Sequence, residues 1–105
     1  MSMADKLETF RALLEADQLR GLIAMGVDCE ANRANSLCKV KLGRKYANVD
    51  VGSSGKYMVE IDTGNIYGIK AYGVIHRGHA YGDLDTITDW DWSGYKASKR
   101  AQEAA

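Results

Sequence analysis

The stretch from Tyr72 to Asp85 carries His76, Arg77, His79, Tyr81 and Asp83 between its ends, spaced by Gly73, Gly78 and Gly82. Imidazole and carboxylate together suit zinc, manganese or iron, and a histidine oriented by an aspartate is equipped for acid–base or nuclease chemistry. His76, His79, Asp83 and Asp85 are therefore a candidate metal set. The spacing argues weakly for it, because His-x-x-His shares a face on a helix and Gly78 disfavours that helix. A calcium loop starting at Asp83 fails, since Ile87, Thr88 and Gly94 stand where a ligand, the turn glycine and the closing glutamate belong. The ordinary structural reading is a glycine-rich crossing loop whose aspartates start turns and whose polar side chains bond backbone amides.

A second stretch, Val51-Gly-Ser-Ser-Gly-Lys56, has the look of a phosphate loop. That motif needs a glycine where Asp50 stands and a hydroxyl where Tyr57 stands. It also needs a helix to follow, so that amide ends face the phosphate. Instead Tyr57, Val59 and Ile61 alternate with Lys56, Met58, Glu60 and Asp62, which is strand periodicity. The glycines and serines then read as a hairpin turn.

Charge singles out another surface. The chain is neutral overall at pH 7, which excludes a strongly basic nucleic-acid binder and a polyanionic mimic of one. Between Lys39 and His79, however, Lys39, Lys41, Arg44, Lys45, Lys56, Lys70 and Arg77 outnumber Asp50, Glu60 and Asp62 by four. Ala80 to Trp92 then holds Asp83, Asp85, Asp89 and Asp91 with no cation. Tyrosines stack on unpaired bases and cations meet phosphates, so a basic sheet with tyrosines has the equipment of single-strand binders. The contacts expected on this reading are Lys39, Lys41, Lys56, Lys70, Tyr72, Arg77 and His79. No RNP-type motif accompanies them.

These residues need a scaffold, and 105 residues allow one domain with a modest core. Ser2 followed by Asp5 resembles a helix start, and Met3, Leu7, Phe10 and Leu14 recur at helical spacing, so a first helix is expected from about Met3 to Ala16. Asp17 then caps a second helix ending at Gly26, or the two form one helix kinked at Gly21. Asp28 to Ser36 reads as a loop. From Leu37 to Tyr72 the period falls to two, giving four strands at 37–42, 46–51, 56–62 and 66–72 joined by short glycine-bearing turns. Short connections make neighbouring strands antiparallel. The fold class is thus α+β: a helix or helix pair on a four-stranded antiparallel meander, an irregular loop, and a short C-terminal helix from Gly94 to about Ala104.

Asp89-Trp-Asp-Trp92 places both tryptophans on one face if extended and separates them if helical. One belongs to the core, and Trp90, Trp92 and Tyr95 are the interface candidates, through which a homo-oligomer or an assembly component of a virion would associate. Cys29 and Cys38 form no zinc pattern, and Cys38 continues the apolar alternation of Val40 and Leu42 as a reduced thiol. No apolar run approaches a membrane span, and no signal peptide is recognisable, so a cytoplasmic protein without membrane partner is expected. No cofactor is called for.

Finally, Gly55-Lys-Tyr-Met-Val-Glu60, Thr63-Gly-Asn-Ile-Tyr-Gly-Ile-Lys70, Gly73-Val-Ile-His-Arg-Gly-His79 and Tyr81-Gly-Asp-Leu-Asp-Thr86 resemble a stretch of small proteins of phages and mobile elements. The resemblance implies an intracellular viral protein that binds nucleic acid or inhibits a host nucleoprotein complex. Expectation therefore centres on a non-enzymatic binding protein, with a metal-dependent enzyme at His76, His79, Asp83 and Asp85 as the alternative.

Overall fold

The computed structural model describes residues 2–52, 54–93 and 97–99. One helix, α1 (Met3–Met25), opens the fold. Ser2 caps it, its hydroxyl accepting the Asp5 amide at 3.1 Å. At the other end Gly26 takes a left-handed φ of 71°, letting its own amide reach Ile23 O and the Val27 amide reach Leu22 O, each at 3.0 Å. Of the two expected arrangements the single helix with Gly21 inside it is the one formed, and no second helix starts at Asp17. Asp17 is buried in mid-helix and its Oδ2 accepts the Trp92 amide at 3.1 Å, so a distant backbone group takes the carboxylate that local reading assigned to a cap. Gly21 lets the same segment approach, since a Cβ there would lie 3.1 Å from Ser93 O. The following stretch, read as loop, contains a short helix α2 (Glu30–Ala34).

Five strands follow, not four: β1 (Cys38–Leu42), β2 (Tyr46–Val51), β3 (Ser54–Glu60), β4 (Asn65–Ala71) and β5 (Val74–Asp83). They form an antiparallel meander in chain order. The segment read as an irregular glycine-rich loop is mostly β5. Its period of two is broken where Tyr67↔Ala80 is followed by Gly68↔His76, which leaves Arg77, Gly78 and His79 extra on β5. A strand carrying such a bulge loses the alternation by which strands are recognised. The turn at Gly52 is a hairpin connection as expected, with Ser53 outside the described residues.

Alternate sheet residues Ala47, Val49, Tyr57, Val59 and Ile66 pack with Leu7, Phe10 and Leu14 of α1. Trp92 closes this core fully buried, its ring 4.8 Å from Phe10 and 5.2 Å from Tyr57, with Nε1 donating to Ile87 O at 2.9 Å. After a 3₁₀ turn at Ile87–Asp89, strand β6 (Trp90–Asp91) pairs with β7 (Ser98–Lys99). Extended pairing at Ser98–Lys99 replaces that part of the expected C-terminal helix; the rest of it lies outside the described residues, apart from Ala97, which is buried in the core.

Candidate nucleic-acid interface

The sheet face turned away from α1 is read from register. Lys41 faces Asn48, Asn48 faces Met58, and Met58 faces Tyr67, giving a row across four strands. Beside it Tyr46 faces Glu60. The bulge of β5 delivers Arg77 to these residues, its guanidinium 5.8 Å from the Tyr46 ring centre and 5.3 Å from the Tyr67 ring centre. Arg77 Nη2 donates to the Tyr46 hydroxyl and, at 3.3 Å, to Glu60 Oε2. Glu60 raises the Arg77 pKa through this bond, with Tyr46 next in weight. In turn Glu60 is lowered, first by the Thr63 hydroxyl at 2.7 Å and then by Arg77. An arginine clamped between two tyrosines presents a flat, charged platform.

Lys39 and Lys41 are exposed on edge strand β1, on this same face. Lys39 pairs with Asp50, whose Oδ2 accepts from the Tyr72 hydroxyl at 3.2 Å. Tyr72 itself is 54 % exposed and lies over Gly55, where a Cβ would come within 2.7 Å of its ring. Lys70 is exposed and is the residue skipped between Ile69↔Ile75 and Ala71↔Val74. Four expected contacts, Lys39, Lys41, Tyr72 and Arg77, thus belong to one open face, with Lys70 at a bulge near its end. Sequence reading missed Tyr46 and Tyr67 as partners of Arg77, because only the β5 bulge reveals which way Arg77 turns.

Lys56 and His79 sit elsewhere. The register of β3 with β4 covers Met58↔Tyr67 and Val59↔Ile66; beyond it the strands bound a cleft of about 320 Å³. Ser54, Gly55, Lys56 and Tyr57 line one side, Gly68 and Ile69 the other, with His79 and Tyr81 from β5. Lys56 is the extra residue between Val49↔Tyr57 and Asp50↔Gly55, and desolvation lowers its pKa. His79 stacks on His76 with ring centres 4.0 Å apart and planes 15° from parallel.

The metal set is not assembled. Asp85 pairs with Lys6 at 3.1 Å, and Asp83 Oδ1 accepts the Asp85 amide at 2.8 Å within its own turn. Among the described residues no group of three or more His, Cys, Asp or Glu is placed to hold a metal ion. Of the interface candidates, Trp92 is core and is thereby removed, Trp90 is half-buried with Lys99 Nζ 5.8 Å from its ring centre, and Tyr95 lies outside the described residues. Cys38 is buried and its thiol is pushed up to about 12, first by burial and then by Glu15, whereas Cys29 is exposed.

By fold the chain is an α+β protein in which one helix covers one face of a five-stranded antiparallel meander and the other face carries an aromatic and basic platform. No helix among the described residues is long and apolar enough to cross a membrane. Comparison with family models, curated proteins and solved structures finds no match.

Proposed function

We propose that this protein binds single-stranded nucleic acid through the open face of its sheet. The observation that carries the reading is the Tyr46–Arg77–Tyr67 cluster, flanked by Lys39 and Lys41 on the same face. Bases stack on tyrosine rings and on a guanidinium plane irrespective of sequence, while the edge-strand lysines meet phosphates. Asp50 and Glu60 moderate the charge, so affinity on this reading rests on stacking as much as on phosphate contacts.

Fluorescence anisotropy with labelled oligo-dT and oligo-U, from low to physiological salt, tests the proposal. Expected is binding whose log affinity falls with log salt at a shallow slope of one or two phosphate contacts, about 0.7 per contact for single strands. Tyr67→Ala weakens it by about 1–3 kcal/mol, the usual value of one stacked base. Absence of binding to either oligonucleotide at low salt overturns the reading.

A further inference from the structure

The cleft beside β3 and β4 borders the open face at Gly55, over which Tyr72 lies, and is lined by a different set of residues from the Tyr46–Arg77–Tyr67 cluster. We infer that it is a binding site for a small organic anion, a phosphate ester or a carboxylate, held by Lys56 and His79 with the Tyr81 hydroxyl as a further donor. Two irregularities build it. The bulge at Lys56 takes that residue out of the β2–β3 register, and the three extra residues of β5 bring His76 and His79 together as a stacked pair. Bulges of this kind recur beside binding sites because they re-aim side chains without breaking the sheet. Gly68 keeps the space open: a Cβ there would lie 3.1 Å from the His79 Cβ and 3.5 Å from the Tyr81 ring.

The lining holds a lysine, a histidine, two phenols and a serine, and among the described residues no carboxylate. The Tyr81 hydroxyl would lie 3.6 Å from a Cβ at Gly68, at the lining, and burial raises its pKa, so it remains an O–H donor at neutral pH. Desolvation lowers the pKa of Lys56, and an anion entering the cleft would favour its charged form. The His76 ring fixes the plane of His79 by stacking, while its own Nδ1 is buried with no hydrogen-bond partner among the described residues. About 320 Å³ is at the small end of ligand clefts, enough for one ring bearing one charged group. Ile69 supplies an apolar wall for that ring.

Phenyl phosphate and benzoate are the probes, each titrated into the intact protein and followed by amide chemical shifts and calorimetry. Expected is saturable binding of at least one probe at millimolar concentration, with shifts concentrated at Lys56, Tyr57, Gly68 and His79; the preferred probe distinguishes phosphate from carboxylate. Lys56→Met should weaken it tenfold or more, Lys56→Arg should retain it, and His79→Phe, which keeps the stacked ring, should weaken it as well. Arg77→Ala, on the open face, should leave it unchanged whether or not oligonucleotides bind. Failure of both probes to shift these amides, or equal affinity in wild type and in a folded Lys56→Met or His79→Phe, overturns the inference.

Discussion

The two faces of one sheet make the instructive comparison. On the covered face Ala47, Val49, Val59 and Ile66 are wholly buried against α1 and Trp92, and their role is apolar burial, which is non-directional. On the open face Met58 is only 5 % exposed although α1 packs on the other side; it sits between Asn48 and Tyr67, beside the Tyr46–Arg77–Tyr67 cluster. Here the same strands present groups whose value lies in orientation. Exposed polar pairs of this kind contribute little to stability. The open face is therefore free to be tuned for contact while the covered face holds the fold.

That contrast can be broken most forcefully at Trp92. Trp92→Ala should cost about 3–5 kcal/mol, the usual range for an aromatic core deletion, and a urea titration that shifts by less than 1 kcal/mol would contradict its place at the centre of the core. Asp17→Ala comes next. Removing the buried carboxylate leaves the Trp92 amide without its acceptor, at about 1–3 kcal/mol of unfolding free energy, with Asp17→Asn retaining part of it. On the open face, Arg77→Ala should change stability by no more than about 0.5 kcal/mol while weakening oligonucleotide binding, so that stability and binding separate by face.

A smaller effect concerns pH. Asp91 lies at about 2 in the folded protein against a usual 3.8, held down first by the Ser93 hydroxyl and amide and then by Arg20. A depressed carboxylate contributes stability above its unfolded value and loses it as pH falls through the folded value, so the contribution fades between about pH 4 and about pH 2. With the side chain 37 % exposed, solvent screening reduces it to about 1 kcal/mol or less. Comparing Asp91→Asn with wild type across that window should show the difference closing as pH drops. The smallest expectation is chemical: at pH 8 a thiol reagent should label Cys29 quickly and Cys38 only as fast as the protein opens. Rapid labelling of both would place Cys38 outside the core.

Local pattern carried much of this architecture. Ser2 and Gly26 mark the ends of α1 through their own capping chemistry, and the alternation in Cys38–Leu42 and Tyr46–Val51 yields strands at those positions. The class α+β and the antiparallel meander follow from those periods and from turns too short for a crossover. Lys39 and Lys41 were legible as one polar side of a strand for the same reason.

Tertiary structure decided the rest. Whether Asp17 ends one helix or lies inside it depends on a backbone amide 75 positions away, to which no local propensity refers. The fifth strand, the turn of Arg77 toward Tyr46 and Tyr67, and the withdrawal of Lys56 and His79 into a cleft all depend on bulges. A bulge is chosen by the fit between neighbouring strands, so it erases the period of two that a single chain displays. The sequence by itself determined which residues alternate and where the chain turns. The assembled sheet alone determined which way its irregular residues face, because that depends on pairing between strands and not on spacing along one.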